Sequence, residues 1–410
     1  MKNYELITLS NGIRVVHKQV KNTKVAHCGF VLDIGSRDET PDEQGLAHFW
    51  EHMAFKGTKK RRAFHILNRL DAVGGDLNAY TTKEKIYFHA SVLSVHFEKA
   101  IELLSDITFN STFPEKEIRK ERGVILEEMA MYFDDPADAI YDQFDEVIFG
   151  DHPLGKNILG TSKSIQNFTQ NHFFDFIRNN LDTNKLVFSA VTNLPLAKVR
   201  KLAEKYFAET PTFQANHLRK LFTNYQSSEK TETKSITQAH QIMGAIGYPL
   251  KHPKRLPLFL LINLLGGVGM TSRLNMTLRE KFGLVYSVEA NYIAYQDTGL
   301  FSIYFGTDKH VLERCKNLVM KELQKLQNKP LGVMQLQRTK RQVMGQLAMS
   351  EENNLSEMLM MGRSILNENT VESLDETFEK IERITALELQ EIAQEMFEEK
   401  RLSFLTYLPK

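Results

Sequence analysis

Ala26-His27-Cys28-Gly29-Phe30 and Ala239-His240-Gln241-Ile242-Met243 stand about 213 residues apart and read alike, each opening an apolar, strand-like run. A second pair keeps nearly the same offset. His96-Phe97-Glu98-Lys99 and His310-Val311-Leu312-Glu313 each open an amphipathic helical pattern, and each follows a strand pattern, Ile86–Leu93 or Leu300–Thr307. Each half also closes on a strand, Lys185–Leu194 in the first and Leu402–Leu408 in the second, after a helical stretch. Repeats that agree in both spacing and element type point to a duplicated architecture. The expectation is therefore α+β: two similar domains, each a mostly antiparallel sheet packed with helices. We place the first at residues 1–212 and the second at 236–410. Between them, 213–235 contains Ser227-Ser228-Glu229-Lys230-Thr231-Glu232, is polar and aperiodic, and reads as a linker.

Composition agrees with two packed cores and excludes several functions. A chain of 410 residues exceeds what one core usually serves, and 42% hydrophobic residues are ample for two. Lys and Arg total 52 against 51 Asp and Glu, so no general attraction to nucleic acid or to an anionic membrane is expected. The start, Met1-Lys2-Asn3-Tyr4-Glu5-Leu6, carries no apolar stretch of the kind a secretory signal needs. The longest apolar run, Leu256–Leu265, is about half of the roughly 20 residues of a membrane span and contains Asn263. The only cysteines, Cys28 and Cys315, lie far apart, so neither a disulfide framework nor a thiolate metal site is expected. A soluble cytoplasmic protein fits these features.

The chemistry concentrates in His48-Phe49-Trp50-Glu51-His52, inside a helical pattern running from Gly45 to Phe55. Four residues apart on a helix, His48 and His52 share a face, one turn apart, and can reach one metal ion. Glu51 beside them can take a proton from zinc-bound water, whose pKa the metal lowers. The order is the inverse of the commoner His-Glu-x-x-His zinc-peptidase motif. A catalytic zinc needs a third protein ligand, and the helical stretch Pro114–Tyr132 offers Glu121 and Glu128, two turns apart on one face. Either could bind metal while the other supports a histidine. Trp50, the single tryptophan, falls on another face and is expected to pack. His89, His96, His152 and His310 lack ligand spacing and read as structural or surface residues. The glycines of Gly266-Gly267-Val268-Gly269 are too close together for a nucleotide-binding loop.

His48-Phe49-Trp50-Glu51-His52 followed by Glu121-Arg122-Gly123-Val124-Ile125-Leu126-Glu127-Glu128 resembles the pitrilysin-type zinc peptidases, particularly their short branch similar to the mitochondrial processing peptidase. That resemblance spans nearly the whole chain. It implies one zinc per chain held by His48, His52 and Glu128, with Glu51 as general base and Glu121 as a supporting acid. It implies that Gly74-Gly75-Asp76-Leu77-Asn78-Ala79-Tyr80-Thr81 is an edge strand that binds substrate backbone, with Asn78 and Ala79 in contact. In the second half, the 213-residue offset carries His48, Glu51 and His52 onto Leu261, Leu264 and Leu265, so no second zinc motif exists there. The family's second-half signature is matched instead by Arg279 and Tyr286, implied to assist substrate and a developing oxyanion.

Asp138 and Asp142, four apart on a helical pattern, read first as a solvated face. They also match acidic positions that hold an arginine near the cut in the mitochondrial processing peptidase. The implied activity is endopeptidase cleavage of peptides or unfolded protein segments inside a clamshell-like chamber. The implied assembly is a homodimer with composite sites. The alternatives are a non-catalytic assembly subunit of the same family and the active member of a heterodimer with a motif-lacking partner. The intact motif argues against the first.

Overall fold

The structure is a computed structural model that describes residues 4–215 and 218–410. The first half runs β1 (Glu5–Thr8), β2 (Arg14–Gln19), β3 (Val25–Leu32), α1 (Leu46–Met53), α2 (Ala63–Asp71), β4 (Asp76–Thr81), β5 (Ile86–Leu93), α3 (Phe97–Phe109), α4 (Glu115–Asp134), α5 (Pro136–Phe149), α6 (Ser162–Asn167), α7 (Gln170–Asn180), β6 (Leu186–Thr192) and α8 (Leu196–Phe207). The second runs β7 (Glu229–Lys234), β8 (Ala239–Gly247), α9 (Arg255–Gly266), a π-helical turn Asn275–Lys281, β9 (Val285–Ala294), β10 (Gly299–Thr307), α10 (Leu312–Asn328), α11 (Val333–Glu351), α12 (Asn354–Glu368), α13 (Leu374–Arg383), α14 (Ala386–Met396) and β11 (Ser403–Pro409).

Two sheets result, with strand orders β1-β2-β6-β3-β5-β4 and β7-β11-β8-β10-β9. Apart from the added hairpin strand β1, the orders superimpose element for element. Even the one parallel pair recurs, β2 with β6 and β7 with β11, among otherwise antiparallel neighbours. The α+β class and the duplication expected from the repeats are what the chain adopts.

The compact units do not follow the linear halves. One comprises residues up to Met129, Lys156–Arg219 and Met349–Ser373; the other comprises Ala130–Gly155, Lys220–Ala348 and Leu374–Lys410. The halves exchange one helix each. α12 comes from the second half yet packs on β6 and β3 of the first unit, while α5 comes from the first half and packs on β8 and β11 of the second. Because strand residues alternate between faces, each sheet has two faces to cover. In the first unit Phe30, Phe88 and Phe188 lie across from one another and enter the core shared with α1 and α3. On the opposite face Val16, Val187 and Val191 meet Met358, Met361 and Ile365 of α12. In the second unit Ile140 and Phe144 of α5 meet Ile242, Tyr304 and Leu405. Each exchanged helix has a polar anchor: Ser189 Oγ donates to the Met358 carbonyl at 2.6 Å, and Tyr407 Oη to the Gln143 side chain at 2.6 Å.

The stretch 213–235, expected as a linker, contains β7, which pairs in parallel with β11 at the edge of the second sheet. Its sequence, Glu-Lys-Thr-Glu-Thr-Lys, lacks an apolar face because an edge strand can leave side chains exposed, so the period-2 signal is missing. Residues 216 and 217 of that stretch lie outside the described residues. Among the described residues no helix is long and apolar enough to cross a membrane.

Candidate metal centre

Everything at the site hangs on how α1 begins. Gly45 precedes it with φ 92°, in the left-handed region, and a β-carbon there would stand 2.6 Å from the Leu159 carbonyl oxygen. The first N–H groups of a helix lack partners within it. Here the buried Glu39 carboxylate accepts from Gly45 N and Ala47 N, both at 2.8 Å. Burial pushes the Glu39 carboxyl pKa well up, against the pull of those two hydrogen bonds. The apolar face of the helix, Leu46, Phe49, Trp50 and Met53, is fully buried, at about 1.5–3 kcal/mol per large side chain. Trp50 packs near the rings of Phe88 and Phe176, in a structural role.

With that face locked in the core, His48 and His52 stand one turn apart, ring centroids 4.7 Å from each other. α4 crosses them and delivers Glu128, whose oxygens lie 3.7 Å from His48 Nε2 and 3.4 Å from His52 Nε2. Among the described residues His48, His52 and Glu128 are the one group of three whose donor atoms converge, all within 4.8 Å. Burial, then the neighbouring His52, lowers the His48 pKa to about 3, so the imidazole is neutral, the form that ligates a metal. Two imidazoles and a carboxylate are the donor set of a catalytic zinc site. Glu121, two turns before Glu128 on α4, lies 3.2 Å from His52 Nδ1 and orients that ring from behind. Lys56 Nζ reaches the other Glu121 oxygen at 2.6 Å. Burial would raise the Glu121 pKa, but the bonds from His52 and Lys56 outweigh it and hold the carboxylate ionised.

Glu51 has a separate setting. Thr81 Oγ1, at the end of β4, donates to Glu51 Oε2 at 2.8 Å. Burial raises the Glu51 pKa against this bond, which makes the carboxylate a stronger base than a solvated one. β4 itself is the last strand of its sheet, paired on one side with β5, and carries Asn78 and Ala79.

Arg279 and Tyr286 meet in the second unit, the Arg279 guanidinium carbon 5.8 Å from the Tyr286 ring centroid. Arg279 lies on the π-helical turn and Tyr286, 85% exposed, near the start of β9, which is the edge strand equivalent to β4. Asp138 and Asp142 lie on α5, also in the second unit. Sequence reasoning missed Glu39 and Lys56, and it read Thr81 only as the end of the edge strand, without its bond to Glu51. Lys56 stands past the end of α1, so helical spacing gave no signal for it. Glu39 in an irregular segment gave no periodic signal.

Comparisons with known proteins match both halves of the chain. Residues 14–162 match the family described as insulinase (peptidase family M16), and residues 167–343 match the peptidase M16 inactive domain. The chain is 31% identical over 392 residues to an uncharacterized zinc protease of Bacillus subtilis, YmxG, covering 96% of this chain and 95% of the relative. It is 36% identical over 351 residues to an uncharacterized zinc protease of Rickettsia felis, covering 86% and 84%. A protease from Helicobacter pylori of solved structure shares the fold with a TM-score of 0.93 at 21% identity, covering 99% of both chains. With both halves matched and the His48–Glu51–His52 helix inside the first match, the chain belongs to the insulinase family, peptidase family M16.

Proposed function

We propose that the protein is a zinc-dependent endopeptidase acting on peptides or unfolded protein segments. The observation that carries the proposal is the convergence of His48, His52 and Glu128 donor atoms beside a Glu51 carboxylate held by Thr81. His48 and His52 through Nε2, with Glu128, would hold one zinc, and Glu121 fixes the His52 ring. When bound, the metal supplies Lewis acidity that lowers the pKa of water and polarises the scissile carbonyl. Glu51 takes the proton from the attacking water and returns it to the leaving amine. The free edge of β4 offers backbone donors and acceptors to an extended peptide, which makes unfolded segments the substrate class. Arg279 and Tyr286 supply donors to charge that develops at the oxyanion, and Asp138 with Asp142 pairs with a basic side chain of the substrate.

A mixed peptide library incubated with purified protein tests this. Cleavage should be abolished by a chelator and restored by added zinc; an uncleaved library in the zinc-loaded state removes the proposal. The same proposal includes a homodimer in which Arg279 and Tyr286 of one chain serve the zinc of the other. Mixing Glu51→Gln chains with chains carrying Arg279→Ala and Tyr286→Phe should then restore activity that neither has alone. No restoration in confirmed mixed dimers would remove the shared site and leave the zinc assignment standing.

A further inference from the structure

A strand has two faces, and a peptide added to β4 inherits both. Ala79 lies on the face of the core shared with α1, and Thr81 reaches Glu51 from that side, so alternate peptide side chains turn toward the metal centre. Asn78 and Tyr80 belong to the other face. There Tyr80 sits directly across from Tyr87 of β5, the rings stacked at 4.2 Å and 13° from parallel. Tyr87 lies across from Val31 of β3. Against Val31 sits Gly362 of α12, so closely that a β-carbon there would be 2.6 Å from Val31 Cγ2.

The next residue is Arg363. Neighbouring strands are about 4.8 Å apart, so Tyr80 is roughly two strand spacings from Val31, within the joint reach of an arginine and a tyrosine side chain. Arg363 is exposed and has no hydrogen-bond or ion-pair partner among the described residues. Its charge is nonetheless felt here. Burial raises the pKa of both tyrosine hydroxyls and keeps them protonated donors, with Arg363 opposing the rise in each. Lys85, just before β5, is a second cation nearby, but Asp33 and Glu84 answer its charge. This face therefore carries an aromatic wall with hydroxyls and, on the turn of α12 that meets Val31, a guanidinium without a hydrogen-bond or ion-pair partner among the described residues, with Asp33 as the nearby acid.

We propose that Tyr80, Tyr87 and Arg363 form a subsite that selects an acidic side chain on a peptide bound along β4, on the face turned away from the metal centre. The inference rests on β4 being the substrate strand. Its chemistry is specific: a carboxylate can take a bidentate bond from Arg363 and a hydroxyl bond from the Tyr80–Tyr87 pair, whereas an amide of the same shape gains no charge-assisted bond. For a partly solvated pair the preference should be modest, about two- to five-fold.

The test uses a peptide cleaved at one bond, with Glu, Gln or Lys placed in turn at each flanking position, and reads the ratio of kcat/KM for Glu over Gln. Wild type should prefer Glu at a position whose side chain alternates away from the metal. Arg363→Gln should bring that ratio to about one, chiefly through KM, and Arg363→Glu should turn the preference toward Lys. Tyr80→Phe should lower the ratio without reversing it. Thermal melts of each variant separate a folding defect from a change in selectivity. A wild-type ratio of one at every position, or a ratio that survives Arg363→Gln in a folded protein, overturns the subsite while leaving peptide cleavage in place. Failure of wild type to cleave any of the peptides overturns the peptidase reading, and the subsite with it.

Discussion

α1 and α9 hold the same place in two copies of one design: each follows the first long strand of its half, and each packs toward the edge strand of its own sheet, β4 or β9. Their chemistry has diverged. Where α1 carries His48, Glu51 and His52, the 213-residue offset puts Leu261, Leu264 and Leu265 on α9, two of them fully buried. The crossing helix has changed with it. α4 brings two carboxylates to α1, whereas α11 brings Gln346 to α9, where it accepts a hydrogen bond from Asn263 at 3.1 Å. A neutral amide pair joins the helices in the second unit where histidines and carboxylates face one another in the first. The duplicated sheet and its helices thus recur around a helix pair that carries no histidine–carboxylate set among the described residues. The candidate metal centre thus differs from its counterpart on two helices at once, α1 and α4.

The two exchanged helices should differ in how much stability their contacts carry. In the first unit α12 comes nearest its sheet at Gly362; in the second a tyrosine hydroxyl holds α5 to its sheet. Gly362→Val should destabilise by about 1–3 kcal/mol, because the added side chain meets Val31 and Ser189 at contact distances a packed core cannot accommodate. Tyr407→Phe should cost less, about 1 kcal/mol, for the bonds to Gln143 and the Ala139 carbonyl. Hydrogen exchange locates each effect: the first should speed exchange in β3 and β6, the second in β8 and β11. Equal losses spread over both sheets would mean that α5 and α12 are not the separate covers described above.

Much of this was legible in the sequence because it is periodic. The strand patterns at Ile86–Leu93 and Leu300–Thr307 are the observed β5 and, within a residue, β10. The histidine pair and the seven-residue spacing of Glu121 and Glu128 put all four side chains where helical geometry requires. Three features escaped. β7 has no apolar face, so only its partner β11 makes it a strand. The exchange of α5 and α12 was invisible because an apolar stripe such as Ile140, Phe144 and Ile148 says that a helix must cover a sheet, not which of two similar sheets it covers. In the same way a lone buried acid such as Glu39 acquires meaning only when the chain folds it against the start of α1.

Metal analysis of wild type, Glu51→Gln and Glu128→Gln, paired with peptide hydrolysis on the same samples, separates holding the metal from using it. Wild type should contain about one zinc per chain, bound in the first unit alone. Glu51→Gln should keep that zinc and lose hydrolysis by about 10²- to 10⁴-fold, while Glu128→Gln should lose the zinc itself. A wild-type protein without zinc after preparation in its presence, or a Glu51→Gln protein that cleaves at the wild-type rate, would contradict the assignment of the His48, His52 and Glu128 cluster as a catalytic metal centre.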